Sequence, residues 1–248
     1  PVIVRVDGRA FHSFTADLEK PFDLSLISLM TETTKYLVAE THATVGYVQS
    51  DEISLVWVSK EDRVDSTIFF DGRVSKMESV IASMASVYFN KRLPEFLPAK
   101  KDQMPVFDGR AFGVPKTWEA VNYLIWRESD ATRNSLSMAA QAYFSHKELH
   151  GKGRAAKHDL LHSVGVNWDK YPDACKRGTY VRRIVEERPF TADELEKLPP
   201  LHKARTEPGF TVKRSKVIVM DIPPLMKIAN KAAVLFEGAA PLSEQGKE

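Results

Sequence analysis

The pattern of apolar and polar positions changes its period several times along the first half of the chain. Residues 2–6 form a short β-branched run that stops at Asp7-Gly8, which favours a strand ending in a turn. Residues 24–41 place apolar side chains at helical spacing behind Pro21 and Asp23, which indicates a helix. The same criteria predict strand, helix, strand, strand, helix and strand over residues 2–6, 24–41, 44–49, 52–58, 73–93 (closed by Pro94) and 105–107.

This β-α-β-β-α-β order predicts an α+β fold of the ferredoxin-like, split βαβ type. Such a unit forms an antiparallel sheet with its helices on one face. We expect residues 1–116 to form this core and residues 117–248 to pack on it as one compact unit. The second part is predicted to contain a helical arm, a basic stretch and late strands, over residues 117–129, 131–149, 150–177, 178–185 and 215–221.

Composition limits the class of protein without naming a function. The 248 residues are 43% apolar and carry a formal net charge of only +2, so a nucleic-acid surface would have to be a local patch. The single cysteine, Cys175, excludes an intrachain disulfide and fits a reducing compartment. No apolar stretch is long enough to span a membrane. We therefore expect a cytoplasmic protein with no membrane contact.

Acidic residues interrupt two of the predicted strands. Asp7 ends the first strand, and Asp51-Glu52 lie at the turn of the predicted hairpin. Both positions also suit ordinary turn residues, because Asp-Gly pairs and hairpin tips favour solvated acids. Since the first strand and the hairpin are neighbours in this sheet order, Asp7 and Asp51 are expected to converge. Paired carboxylates of this kind hold Mg²⁺ for phosphoryl transfer.

Several further residues have both a functional and a structural interpretation. Backbone amides of residues 8–12 suit phosphate binding, or a plain turn. His12 suits a nucleotide contact, or a structural role. Lys20 and Asp23 suit nucleotide binding, or the start of a helix. Arg73 and Lys76 lie at the start of a predicted helix, where they could bind a triphosphate or simply face solvent.

The aromatic residues near the start of the predicted helical arm are assigned to the core first. Trp118, Tyr123 and Trp126 have spacings compatible with one side of a helix. Base stacking by these rings is the minor interpretation.

Six segments in collinear order resemble the histidine-tRNA guanylyltransferase superfamily. They are RVDGRAFHSFT, KPFD, QSDEISLV, RVSKMESVIASMAS, FDGR and NYLIWRESDATRNSL. The resemblance implies a polymerase/cyclase-like palm that adds nucleotides to a 5′ end in the 3′-to-5′ direction. It implies activation of the tRNA 5′-monophosphate with ATP or GTP, followed by attack of the 3′-hydroxyl of an incoming NTP.

The resemblance also implies roles for individual residues. Two Mg²⁺ ions would be held by Asp7, Asp51 and the Gly8 carbonyl, with Glu52 beside them as a catalytic residue. The implied nucleotide-binding residues, which include the turn after the first strand, are Gly8, Arg9, Ala10, Phe11, His12, Lys20, Asp23, Ser50 and Lys76.

One departure from the family pattern affects the expected substrate. Where eukaryotic members carry HINN, this chain has Ala131-Thr132-Arg133-Asn134, which keeps the asparagine and lacks the histidine. The pattern is more similar to the Thg1-like proteins of bacteria, archaea and phages, which prefer templated repair of truncated tRNA 5′ ends. Templated repair and guanylate addition to histidine tRNA both stay open. The expected tRNA-binding residues are Asn134, Lys152, Arg154, Lys157, Lys176 and Arg177.

Two alternatives to this function remain at the level of the sequence. A palm-type nucleotide cyclase would use the same carboxylates on free NTP. A non-enzymatic RNA- or nucleotide-binding module would use them only to hold a structural metal. By resemblance we expect a homo-oligomer, either a tetramer or a dimer, and we assign no role to residues 186–248.

Overall fold

The structure is a computed structural model, and it describes residues 1–59, 68–207 and 209–244. Its strands are β1 (Val2–Gly8), β2 (Val45–Gln49), β3 (Glu52–Trp57), β4 (Phe107–Gly113), β5 (Thr179–Pro189) and β6 (Thr211–Val219). Its α-helices are α1 (Phe11–Phe14), α2 (Leu24–Thr41), α3 (Val74–Phe96), α4 (Thr117–Gln141), α5 (His146–Leu149), α6 (Arg154–Ser163), α7 (Asp173–Arg177), α8 (Ala192–Glu196) and α9 (Lys203–Thr206). Within these residues, no helix combines the length and the apolar composition needed to cross a bilayer.

The strands form one six-stranded sheet in the order β4-β1-β3-β2-β5-β6, and every pairing is antiparallel. The first four strands with α2 and α3 confirm the predicted β-α-β-β-α-β unit. β5 and β6 then extend the same sheet beyond β2. The sheet therefore contains strands from both predicted parts of the chain, residues 1–116 and residues 117–248. The division between these two parts stays a prediction.

The two palm helices α2 and α3 cover one face of the sheet. Alternate residues of the central strands, such as Val4 and Leu55, are fully buried against Leu37 of α2 and Ile81 and Phe89 of α3. Burial of this apolar surface is the main driving force that fixes both helices on the sheet.

Helix α4 packs on part of the opposite face. Ala120 and Leu124 of α4 are fully buried against Ile3, Val56 and Tyr180 of the sheet. The segment after β6 completes this second core, with its buried residues Ile222, Leu225, Ile228, Val234, Leu235 and Phe236. The two palm helices α2 and α3 thus lie on one face, as expected. The additional helix α4, which follows the palm in sequence, covers part of the other face.

Helix α4 is continuous, which corrects the prediction of two helices separated near Ser129-Asp130. Asp130 lies on an open flank of the helix, where it accepts hydrogen bonds from Arg133 at 2.9 Å and Asn134 at 3.2 Å. Arg127 also lies 3.4 Å from Asp130. Charged and polar pairs three or four residues apart stabilise a helix, so the polar residues at Ser129-Asp130 do not end α4.

Two other predicted boundaries were wrong. Helix α3 includes Pro94 and ends at Phe96, because a proline in the last turn removes only one intrahelical hydrogen bond. Strand β4 runs from Phe107 to Gly113 and pairs with β1 along its whole length. Its sequence, FDGRAFG, has little β-branched character, so its extent depends on the partner strand rather than on local propensity.

Candidate active site

The register of the sheet sets three acidic residues side by side on the face that α4 covers. Asp7 of β1 lies opposite Glu52 of β3 and, on its other side, opposite Asp108 of β4. We call these three residues the carboxylate row. Directly opposed residues in antiparallel strands have Cβ atoms about 4.5–5.5 Å apart. The row therefore concentrates negative charge at one end of the palm.

Asp51 joins this end of the sheet through the turn between β2 and β3. Ser50 has a φ of 51°, a left-handed conformation that tightens the turn. The carbonyl oxygen of Asp51 accepts a hydrogen bond of 3.1 Å from the Gly8 amide, the residue directly after Asp7. The structure thus brings Asp7 and Asp51 together, as the predicted strand order required.

Asp51 is partly buried and lies close to the carboxylate of Asp7. Burial raises the pKa of the Asp51 carboxyl, and the nearby charge of Asp7 raises it further. One terminal nitrogen of Arg5 contacts both Asp7 and Glu52, at 2.9 Å each. Sequence reasoning missed Arg5, although its position two residues before Asp7 in a strand places both side chains on the same face.

Glu52 is held by arginines rather than left open to a ligand. Arg127 of α4 donates two hydrogen bonds of 2.7 Å to it, one from Nε and one from a terminal nitrogen. Both side chains are about 5% exposed. This bidentate geometry is the strong form of an arginine–carboxylate pair. Sequence reasoning missed Arg127 as well. The only signal for it in the sequence is a cation at a position that falls on the buried side of an amphipathic helix.

The donor set of the site suits a hard cation. Asp7 is 31% exposed at the end of β1, and Asp51 lies beside it in the turn between β2 and β3, so two acidic residues from different parts of the chain are neighbours here. Among the described residues, no group of three or more His, Cys, Asp or Glu side chains is arranged to hold a metal by itself. A Mg²⁺ ion here would need a backbone oxygen, phosphates and water in addition, which is its usual coordination in phosphoryl-transfer sites.

The turn after β1 is shaped by close packing. A Cβ atom on Gly8 would lie 2.3 Å from the Phe11 ring, so glycine is required there. Phe11 is itself 3% exposed and packs against Phe14, Phe89 and Phe107. Only the backbone of Phe11 can therefore serve the predicted nucleotide contact.

The amides of this turn are only partly available for phosphates. The Gly8 amide donates to Asp51 and the Arg9 amide to Val106, at 2.9 Å. The predicted phosphate cradle over residues 8–12 is thereby reduced to residues 10–12. Ala10, at a φ of 55°, and His12 are exposed at the start of α1.

Lys20 and Asp23 have structural partners. The Lys20 ammonium donates to the Thr15 carbonyl at 2.9 Å, and the Asp23 carboxylate caps α2 by accepting from the Leu26 amide at 2.9 Å. The interpretation of Asp23 as a helix start is confirmed. Nucleotide binding by these two residues stays a prediction.

Lys76 lies on the face of the sheet opposite to the carboxylate row. Helix α3 runs along β4, with the Ser86 hydroxyl bonded to the Phe107 amide and the Glu78 carboxylate bonded to the Ala111 amide. Lys76 precedes Glu78, so it lies toward the end of β4 that is remote from Asp108. Its ammonium lies 5.5 Å above the Phe70 ring. Contact of Lys76 with phosphates stays a prediction, as does that of Ser50, whose exposed side chain adjoins Asp51.

The predicted tRNA-binding residues fall into two groups. Lys152, Arg154 and Asn134 are exposed, and Asn134 lies on α4 beside Asp130. The other three are used within the protein: Lys157 bonds to Ser137, Lys176 to the Asp169 carbonyl, and Arg177 to the Ile222 carbonyl. Tyr47 also donates to the Arg177 carbonyl at 2.7 Å. Their contact with tRNA stays a prediction.

The aromatic residues of α4 correct one expectation directly. Trp118 is 60% exposed and Trp126 is 53% exposed, so neither belongs to the core. Tyr123 alone is partly buried against the core, and it shares a hydrogen bond of 2.8 Å with Ser54. The spacing was compatible with one face of a helix, but in the structure that face is a flank of α4 rather than its buried side.

A wide cleft of about 1100 Å³ lies at the other end of the sheet. Its lining includes His42, Thr44, Trp57, Arg182 and Arg183. Val45 is the register partner of Arg182 and Val2 that of Trp57, both at the strand ends opposite the carboxylate row. The cleft is therefore separate from the candidate active site.

Comparison with known proteins identifies the family. The family model for Thg1, the tRNA(His) guanylyltransferases, matches residues 1–115. The tRNA(His) guanylyltransferase of Schizosaccharomyces pombe is 30% identical over 236 residues, which cover 89% of this chain and 83% of that protein. The chain belongs to the tRNA(His) guanylyltransferase (Thg1) family.

Solved structures of the Thg1 family agree with this assignment. A bacterial Thg1-like protein in complex with ATP is 41% identical, with a TM-score of 0.68 over 73% of this chain and 78% of that one. A bacterial Thg1-like protein in complex with GTP is 32% identical, with a TM-score of 0.66 over 91% and 84%. The resemblance drawn from the six sequence segments is confirmed, and so is the palm-like fold.

Proposed function

We propose that this chain is a Mg²⁺-dependent nucleotidyltransferase that adds nucleotides in the 3′-to-5′ direction to the 5′ end of tRNA. The observation that carries the proposal is the Gly8–Asp51 hydrogen bond, which holds Asp7 and Asp51 together at one end of a Thg1-type palm. Complexes of bacterial Thg1-like proteins with ATP and GTP support these nucleotides as substrates.

Asp7, Asp51 and the Gly8 carbonyl are the residues that would hold two Mg²⁺ ions. Bound there, the ions would supply charge neutralisation and alignment of the phosphates. Burial, and after it the nearby charge of Asp7, raises the pKa of Asp51, which fits a site that is completed by cations. Asp7 and Asp51 therefore act as binding groups, and the reaction requires little general-base chemistry from the protein.

The reaction has two phosphoryl-transfer steps. First, an oxygen of the tRNA 5′-monophosphate attacks the α-phosphorus of ATP or GTP, and pyrophosphate leaves. Second, the 3′-hydroxyl of an incoming NTP attacks the activated 5′-phosphorus, and the nucleoside monophosphate leaves. The hydroxyl proton passes to solvent or to a phosphate oxygen. Holding the reacting groups in line supplies most of the acceleration.

The remaining residues act by positioning. Arg127 and Arg5 neutralise Glu52 and fix the end of β3 beside the site. We assign Glu52 to this positioning role rather than to metal binding, because its oxygens already accept from arginines. His12, with the backbone of residues 10–12, is placed to contact a nucleotide.

Templated repair is the form of the activity that we favour, because Ala131 occupies the first position of the HINN segment and is 4% exposed within α4. Asn134 keeps the last position of that segment and is exposed. We also propose tRNA as the macromolecular partner, a homo-oligomer, and a cytoplasmic location.

The test is 5′ extension of RNA by the purified protein. A 5′-monophosphorylated tRNA lacking its first nucleotide, and a full-length histidine tRNA, are each incubated with Mg²⁺, ATP and all four NTPs. Extension of the truncated tRNA alone supports repair, and addition of one G to the histidine tRNA supports guanylylation. Failure of both would contradict the proposal, and cyclic or dinucleotide products without RNA would indicate a cyclase.

Two variants connect the activity to the site. Asp7→Asn and Asp51→Asn should each lower the extension rate by at least about 100-fold while the circular dichroism spectrum is unchanged. Asp102→Asn, which changes an exposed acid outside the site, is the matched control and should behave as the unmodified protein.

A further inference from the structure

Trp126 is an exposed indole that is held firmly beside the candidate active site. The Trp126 side chain is 53% exposed on the surface of α4. The Arg127 guanidinium lies 4.7 Å from the centre of its ring and is fixed in turn by two hydrogen bonds to Glu52. One face of the indole is therefore covered by a cation, and the orientation of the ring is connected to the carboxylate row.

Two neighbours extend this ring into a larger surface. Tyr123 meets Trp126 edge-on with ring centres 6.2 Å apart, and Phe112 of β4 meets Tyr123 edge-on at 5.6 Å. We call Phe112, Tyr123 and Trp126 the aromatic ledge. Phe112 lies four residues along β4 from Asp108, on the same face of the sheet, so its Cα is about 13 Å from the carboxylate row.

The folding of the chain does not explain the exposure of the ledge. Trp57, by contrast, is 3% exposed and donates to the Thr41 carbonyl at 3.0 Å. Trp126 is an exposed indole on the amphipathic helix α4, beside the partly buried Tyr123 and the 36% exposed Phe112. Exposed aromatic surface of this kind is typical of a binding surface. Cations lie on both elements of the ledge. Arg110 is exposed two residues before Phe112 in β4 and lies opposite Arg5 in the register, and Arg133 of α4 is 68% exposed and pairs with Asp130. In the part of the chain that the structure describes, no carboxylate lies within ion-pair distance of Arg110.

The ledge and the predicted nucleotide loop approach the carboxylates from different sides. The turn after β1 packs through Phe11 into the core beneath α2 and α3. The ledge lies on the face covered by α4. A reaction that joins a nucleotide to an RNA end needs two such approaches. We infer that the aromatic ledge stacks a base at the 5′ end of the tRNA acceptor stem, with Arg110 beside the adjoining phosphate.

This inference rests on the proposed function and adds a specific substrate contact to it. Aromatic stacking tolerates any base, which suits an enzyme that must act on whichever nucleotide ends a truncated tRNA. Arg110 supplies locally the positive charge that a phosphate requires, in a chain whose formal net charge is only +2.

The experiment compares Trp126→Leu with Trp118→Leu, since Trp118 is equally exposed on the same helix but at its start, two turns away. Steady-state extension of the truncated tRNA gives the KM for tRNA and the KM for ATP. We expect Trp126→Leu to raise the KM for tRNA about 10-fold and to leave the KM for ATP unchanged. Trp126→Phe should restore most of the loss, and Trp118→Leu should have no effect.

A second measurement does not depend on catalysis. The fluorescence change on adding the 5′-monophosphorylated tRNA should be smaller in Trp126→Phe than in Trp118→Phe. If the unmodified protein extends no RNA but this difference is present, the proposed function fails and the ledge remains an RNA contact. If extension occurs and the two leucine variants behave alike, the ledge assignment is overturned.

Two other results would also overturn it. A raised KM for ATP with an unchanged KM for tRNA would assign the ledge to the base of the nucleoside triphosphate. A smaller assembly of Trp126→Leu in sedimentation velocity would assign it to contact with a second copy of the chain.

Discussion

Arg127 donates two hydrogen bonds of 2.7 Å to Glu52, and so connects helix α4 to strand β3, which follows the Ser50-Asp51 turn. The two residues are 75 positions apart in sequence. The pair is buried, and Glu52 also accepts from Arg5. Ion pairs therefore hold α4 to the end of the palm that carries Glu52, whereas apolar packing holds the helices on the rest of the sheet.

Removal of Arg127 should destabilise the protein strongly. Arg127→Met leaves Glu52 buried with one of its two arginines missing, and breaking a buried pair costs about 3–5 kcal/mol. For a chain of this size, each kcal/mol lowers Tm by about 2–4 °C. Differential scanning calorimetry should therefore show a fall in Tm of about 6–20 °C. The double variant Glu52→Met with Arg127→Met should lose less unfolding free energy than the two single variants lose in sum. Strictly additive losses would contradict the coupling between the two residues.

Glu128 should make stability depend on pH. Burial raises the pKa of this carboxyl, which accepts from the Tyr180 hydroxyl at 2.9 Å and the Leu225 amide at 3.1 Å. Because the folded-state pKa is raised above the unfolded value, the stabilisation is fully present below the unfolded pKa and is lost as pH rises through the folded pKa. Glu128→Gln can keep both contacts without the charge if its amide oxygen accepts from the Leu225 amide and its NH2 group donates to the Tyr180 hydroxyl oxygen. Its Tm relative to the unmodified protein should be higher at pH 8 than at pH 5.

The control for this pH comparison is Glu196→Gln, which changes an exposed acid. Its Tm difference from the unmodified protein should be nearly the same at both pH values. A pH-independent difference for Glu128→Gln would show that the buried carboxyl does not titrate in this range.

Gly8 should not tolerate a side chain. A Cβ there would lie 2.3 Å from the Phe11 ring, which neighbouring aromatic rings hold in place. Overpacking of this kind costs about 1–3 kcal/mol, so Gly8→Ala should lower Tm and reduce extension by shifting the turn beside Asp7. Gly113→Ala is the control, because its added Cβ would make only an ordinary contact with the Pro1 carbonyl at 3.9 Å. Equal Tm values for the two variants would disprove the packing argument.

Lys152 and Arg154 should contribute to tRNA affinity through phosphates. Both are exposed, so replacing both by alanine should leave Tm unchanged. The slope of log affinity against log salt should become shallower by about 2, one unit for each lost phosphate contact. Filter binding of tRNA at several salt concentrations measures the slope. Alanine at the exposed Lys101 and Lys197 is the control, and an equal change in both double variants would contradict a specific patch.

The sequence alone was sufficient for the order of the palm elements and for the family. The β-branched run at residues 2–6 and the helical spacing at 24–41 are local patterns. The structure keeps both elements because their apolar side chains are buried in the core. Asp7 and Asp51 could be paired in advance for the same reason, since strand order follows from element order. Motif recognition then supplied the chemistry that composition left open.

Only the tertiary structure decided which side of α4 is buried. Trp126 and Arg127 are adjacent in sequence, and hydropathy assigns the indole to the core and the cation to solvent. The structure reverses this, because Glu52 on β3 needs a cation in a buried position and α4 presents that side to the sheet. The length of β4 and the continuity of α4 past Asp130 were likewise set by partners distant from the local pattern. Long-range pairing outweighs local propensity at these places, since a buried charge must find its counter-charge wherever the fold provides one.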